Sequence, residues 1–168
     1  ARTLLPPRAP WLDLSSVGPV QSMLDGYLQL DGLGQGTFLD CWWHDQIPSV
    51  SDPGYWYPKF DGFATFDGQP LKYKSLLTAG QIVDLFGSGR GQFLAPFGTP
   101  YAQRALPPTN LNTFDDHYPY NYRQYVVEKP FEVEVGPIAP WFGQPGLGTQ
   151  YFTNNTVAPG LPPNPRIP

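Results

Sequence analysis

The sequence predicts an α+β domain: β-rich and single, with a small twisted central sheet, few short helices and long ordered loops. Three observations carry this. The chain has 168 residues, room for one ordinary domain with a modest core. Its 22 prolines and 18 glycines approach the range of disordered chains, but 15% of its residues are aromatic. Large apolar rings in that number offset ordering entropy, so the chain folds around loops rather than staying unfolded. Finally, the apolar segments are short and alternating, and long helical periodicity is missing.

In chain order, residues 15–30 form the best helix candidate. Val20, Leu24, Tyr27 and Leu28 fall on one face, Ser15 or Ser16 can cap the start, and Pro19 sits early enough to be tolerated. Residues 31–58 are dense in Gly, Pro, Asp and Trp and read as ordered loops pinned by aromatics. Asp67-Gly68 between apolar runs signals a hairpin. Tyr125-Val126-Val127 and Phe131-Glu132-Val133-Glu134-Val135 read as strands broken by Pro130, the second alternating as a half-buried strand does. Three parts follow: an N-terminal accessory segment 1–54, a main domain 55–157 and a proline-rich tail 158–168 that is extended or poorly ordered.

Composition narrows the partners. A formal net charge of −4 with scattered Lys and Arg gives no basic stripe, which argues against nucleic acid. No apolar run has the length of a membrane span. The chain starts at Ala1-Arg2 without methionine, as a processed or trimmed protein does, and no charged n-region or apolar h-region opens it. Asn154-Asn155-Thr156 is a glycosylation sequon, meaningful if the protein is secreted. Cys41 is the only cysteine. It is either a small buried residue or a bridge to another chain. His44 and His117 are too few and too far apart for a metal set, and Asp115-Asp116 reads as a turn, so no metal site is expected.

Two stretches, Phe97 to Pro108 and Gly136 to Tyr151, look like walls of a small-molecule site. Glycine and proline fix the backbone there, leaving Arg104 and Gln144 as isolated polar groups among aromatics. Arg104, after Thr-Pro-Tyr and before Leu-Pro-Pro, either offers paired donors to phosphate or bridges carbonyls of its own loop. Gln144, between Gly143 and Pro145, is either a ligand contact or a solvated turn residue. Phe93 and Trp141 supply rings that fill core or face a ligand. Gly87-Ser88-Gly89-Arg90-Gly91 resembles a phosphate cradle only loosely, lacking a following helix pattern.

These motifs in this order resemble the tuberculosis necrotizing toxin (TNT) domain family of NAD(P)+ glycohydrolases, and within it the fungal cell-surface enzymes. The similarity enters at Tyr57-Pro58-Lys59-Phe60-Asp61-Gly62-Phe63, continues through Gly80 to Gly87 and Gly91 to Pro96, and ends near Val157. Upstream, Gly26-Tyr27, Asp31-Gly32-Leu33, Phe38-Leu39 and Trp42-Trp43 look like the segment that precedes the domain in fungal members.

The resemblance implies a secreted or cell-surface NAD(P)+ glycohydrolase, with NAD+ or NADP+ as substrate rather than cofactor. Arg104 then matches the family's ligand-contacting arginine, Gln144 its catalytic glutamine and Phe93 the ring beside nicotinamide. A homodimer is a further implication. So is calcium, although no Asp-x-Asp-x-Asp loop is present. Two departures stand out. Leu85 occupies the place of an arginine in many members, and Tyr122-Arg123-Gln124-Tyr125 lacks the toxin branch's histidine; Arg90 or Arg123 can take over the lost charge. The alternatives are a non-catalytic relative acting as a surface, structural or binding protein, and an ADP-ribosyl cyclase or transferase.

Overall fold

A computed structural model describes residues 18–44 and 54–153. It is β-rich, with short helices and a six-stranded antiparallel sheet, the α+β arrangement that the sequence predicts. The N-terminal part holds α1 (Pro19–Met23), α2 (Gln35–Trp42), and the paired β1 (Trp43–His44) and β2 (Gly54–Tyr55). A hairpin of β3 (Thr65–Phe66) and β4 (Gln69–Pro70) follows. Asp67 and Gly68 both take positive φ between its strands, as a two-residue hairpin turn demands.

The main sheet contains β5 (Tyr73–Leu77), β6 (Ile82–Phe86), β7 (Phe93–Pro96), β8 (Tyr122–Val126), β9 (Phe131–Pro137) and β10 (Thr149–Phe152), in the order β5-β9-β10-β7-β6-β8. A short α3 (Tyr101–Arg104) interrupts the chain after β7.

Alternation along the strands sorts the two faces. Val83, Leu85, Leu94, Val133, Val135 and Tyr151 share one core cluster, closed by Leu77, Tyr125 and Val127. The intervening residues Asp84, Phe86, Phe93, Ala95 and Gln150 turn to the opposite face, which carries the cleft described below. Gly136 is obligatory where β9 meets the chain leaving the hairpin: a Cβ there would lie 2.0 Å from the Leu71 carbonyl oxygen. Two aromatic layers complete the interior. Val20, Met23, Phe86, Tyr101, Tyr120 and Tyr122 form one, and Phe38, Leu39, Tyr55 and Phe142 the other, flanked by Trp42, Trp43 and Trp141. The N-terminal segment therefore packs directly on the domain.

Three expectations change. The helix over 15–30 is a five-residue helix, and Leu28 is exposed rather than on its buried face. Ser15 and Ser16 lie outside the described residues. The stretch 31–58, expected as loops, contains α2, because Phe38 and Leu39 bury against Tyr55 and Phe142 and hold a turn-rich sequence helical. Cys41 is exposed on that helix rather than buried. Asn154 and the tail lie outside the described residues, and no helix among the described residues is long and apolar enough to cross a membrane.

Candidate functional site

A cleft of about 600 Å³ opens on the sheet face formed by β6 and β7. One side is the turn Phe60–Gly62 with Gln150; the other is the end of α3, Arg104 to Leu106, with Asn110. Gly87, Ser88 and Gly91 border its mouth. The Phe60–Gly62 turn is fixed by Phe63 bridging Ile138 and by the Ala139 amide donating to the Gly62 carbonyl at 2.8 Å.

Arg104 reaches this cleft wall, but its Nε and Nη2 are already engaged. Nη2 lies 2.6 Å from Asp84 Oδ1, Nε donates to the Thr99 carbonyl at 2.9 Å, and Nη2 also meets Met23 Sδ at 3.4 Å. The guanidinium stands 4.9 Å from the Phe86 ring centroid. Asp84 is fully buried, and its other oxygen accepts from the Gly98 amide at 2.9 Å and the Tyr122 hydroxyl at 3.0 Å. Burial pushes the Asp84 carboxyl up; Arg104, the Gly98 amide and the Tyr122 hydroxyl oppose it. Burial and then the Asp84 charge hold the Tyr122 phenol well above its ordinary value, so it stays a donor. This is a buried ion pair clamping α3 to β6. Removing one partner would leave a buried charge uncompensated, at a cost of about 3–5 kcal/mol. The carbonyl-bridging reading of Arg104 matches this geometry, whereas a free phosphate fork does not.

The structure does not bring Gln144 into the cleft. Its side chain is buried, and Nε2 donates to the Leu28 carbonyl at 2.9 Å, tying the turn after Trp141 to the N-terminal segment. Gly143 in the same turn has φ +69°, and a Cβ there would fall 2.5 Å from Asp31. The open turn expected from Gly143-Gln144-Pro145 is thus closed by residues more than a hundred positions earlier. The glutamine that lines the cleft is Gln150, on β10, whose Nε2 donates to the Asp61 carbonyl at 2.8 Å.

Phe93 does line the cleft, half-exposed, with its ring 5.2 Å from Phe152. Arg90 is exposed in the mouth loop and stands outside the lining. Arg123 lies behind that loop: its Nη1 donates to the Gly87 carbonyl and, at 3.1 Å, to Asn121 Oδ1, and its guanidinium is 3.9 Å from the Tyr118 ring centroid. It braces the loop instead of facing the cleft. Leu85 borders the cleft, yet its side chain belongs to the core cluster on the other sheet face.

Sequence reasoning passes over Gln150 and Asn110. Asn110 donates from Nδ2 to the Phe86 carbonyl at 2.9 Å and so steadies the end of β6 beside the mouth. Gln150 had a signal, a polar residue inside the short strand 149–152. Among the described residues no group of three or more His, Cys, Asp or Glu could hold a metal.

Residues 76–161 match the tuberculosis necrotizing toxin family. A protein of Aspergillus fumigatus, the conidial surface nicotinamide adenine dinucleotide glycohydrolase, is 48% identical over 140 residues. The chain belongs to the TNT family. The matched region covers 83% of the chain and 58% of that fungal relative, so the chain spans little more than half of the relative's length. Tuberculosis necrotizing toxin, solved in complex with its immunity factor, shares the fold with a TM-score of 0.57 at 22% identity, over 83% of this chain and 74% of the toxin. The TNT-family sheet of this chain thus carries one cleft wall of exposed rings and a buried glutamine, and another of an internally neutralised Asp84–Arg104 pair.

Proposed function

We propose that the cleft is an NAD(P)+ glycohydrolase site that cleaves the nicotinamide–ribose bond to give nicotinamide and ADP-ribose. The observation that carries this reading is the convergence of the Gln150 amide and the half-exposed Phe93 ring on one apolar cleft. The name of the Aspergillus relative supports the same chemistry and, through its conidial surface, a secreted or cell-surface location.

Heterolysis of this bond passes through an oxocarbenium-like state. The pyridinium leaves neutral, so no acid has to protonate it, and a cleft without a pair of free carboxylic acids is chemically sufficient. Phe93 offers a face to the nicotinamide ring. Gln150, held by the Asp61 carbonyl through Nε2, keeps its carbonyl oxygen available to orient a ribose hydroxyl or the attacking water. Arg104 contributes by holding α3 and the sheet together. Arg90, on the mouth loop, is the candidate for contacting the outer phosphates.

Leu85 favours a second reading, a TNT relative that retains the cleft without turnover, since an aliphatic side chain in the core replaces a cation common in the family. Incubating the protein with NAD+ and resolving the products separates these readings. Nicotinamide with ADP-ribose supports hydrolysis, a cyclic or protein-linked product points to cyclase or transferase chemistry, and no turnover with retained binding supports the non-catalytic relative.

A further inference from the structure

Building on the proposed glycohydrolase reading, we infer that the cleft selects phosphate-poor, cationic N-ribosylpyridinium ligands, so that nicotinamide riboside is bound at least as well as NAD+. The charged side chains among the described residues lining the cleft are Asp61, Asp84 and Arg104, two carboxylates against one guanidinium. Asp84 and Arg104 neutralise each other at 2.6 Å, which leaves Asp61 as the uncompensated charge of the lining. Arg104 cannot turn to a ligand phosphate without abandoning a carboxylate that is 0% exposed.

Among the described residues, the other cations near this wall stand outside the lining. Arg123 is committed to the Gly87 carbonyl, Asn121 and the Tyr118 ring. Lys59 and Arg90 are exposed and stand outside the lining, so a diphosphate has to leave the cleft to reach them. A positively charged pyridinium, in contrast, meets the Asp61 carboxylate and the exposed faces of Tyr57 and Phe93, all three of which border the cleft. The diphosphate of NAD+ adds negative charge, and the one cation among the described residues of the lining, Arg104, is already ion-paired with Asp84. Nicotinamide riboside keeps the favourable head and omits that tail.

The test is calorimetric binding of nicotinamide riboside and of NAD+ to the full chain, with release of nicotinamide from each followed by chromatography. The expected result is a dissociation constant for the riboside equal to or below that for NAD+. Asp61→Asn is the companion variant: Asp61 is exposed at φ +56°, a conformation asparagine adopts readily, so the turn is retained. It should shift the affinity ratio toward NAD+ by at least threefold. NAD+ binding more than tenfold tighter than the riboside, or an unchanged ratio in Asp61→Asn, overturns the inference while leaving the glycohydrolase reading standing. Binding of neither ligand ends both. Binding of the riboside without release of nicotinamide from either ligand keeps this ligand class and removes the hydrolase.

Discussion

The turn 141–146 and the strand 149–152 lie a few residues apart, and each carries a buried glutamine, yet the two glutamines serve opposite ends of the fold. Gln144 is clasped by the Leu28 carbonyl under the aromatic N-terminal layer, whereas Gln150 is clasped by the Asp61 carbonyl at the edge of an open cleft. Burial is nearly equal, at 6% and 7% exposed, so burial does not distinguish them. What differs is the surroundings. The turn that carries Gln144 contributes Trp141 and Phe142 to an aromatic cluster with Trp42 and Tyr55, with Trp42 5.3 Å from Trp141 and 5.4 Å from Phe142. Around Gln150 the Phe60–Gly62 turn and β7 leave it open. A glutamine in this fold becomes a site residue through what its neighbours fail to fill.

The contrast between residues that hold and residues that touch extends to Arg104, which supplies the largest expected effect. Arg104→Ala should lower the free energy of unfolding by about 3–5 kcal/mol, because Asp84 is left buried and unpaired. Arg104→Lys should lose part of that stability, since an ammonium cannot serve Thr99 and Asp84 with the same fork. Denaturant titration reads the loss. A lysine variant of native stability whose NAD+ affinity drops more than tenfold would return Arg104 to the binding residues.

Next in size is Gln150→Ala, which should cut nicotinamide release at least tenfold, about 1.4 kcal/mol in the barrier. Gln144→Ala should leave that rate unchanged and instead cost about 0.5–1.5 kcal/mol of stability by losing the part-buried hydrogen bond to the Leu28 carbonyl. Measured side by side, rates and unfolding midpoints of the two variants break the comparison if Gln144→Ala is the slow enzyme and Gln150→Ala the unstable one.

The sequence makes one side of this contrast far easier to read than the other. Phe131 to Val135 and the Asp67-Gly68 turn are legible because a period of two and a pair of left-handed residues are local signals. The helix Gln35–Trp42 is not, because Gly34 and Gly36 weaken local propensity and the helix is fixed by Phe38 and Leu39 against Phe142, about a hundred residues away. The two glutamines fail for the same reason. Gly143-Gln144-Pro145 reads as an open turn because the Leu28 carbonyl that closes it is distant in sequence, and Gln150 reads as an ordinary strand residue because its cleft is assembled by Asp61 and β7. The resemblance locates the family and the stretch of chain; only tertiary contacts tell which glutamine faces the space.

The smallest expected effect is the share of the alkaline pH dependence that Tyr55 sets on the closed side. Burial holds the Tyr55 phenol up to about 12 from an ordinary value of 10.0. Folding therefore keeps a proton that the unfolded chain gives up between those values, and the unfolded state binds fewer protons across that window. Tyr55 adds no pH dependence below pH 10 and a loss of stability as pH rises from 10 to 12, with Tyr27, Tyr101 and Tyr122, also raised by burial, adding to the loss at the upper end. Just above pH 10 the loss is a fraction of that from Gln144→Ala. Tyr55→Phe removes one titrating group and should make this limb of the curve shallower between pH 10 and 12 while leaving the ring contacts with Trp43 and Phe142 in place. Denaturant midpoints recorded against pH, with phenolate absorbance followed in the same samples, check it. An alkaline limb as steep in Tyr55→Phe as in the parent would mean that the closed aromatic layer does not set the response.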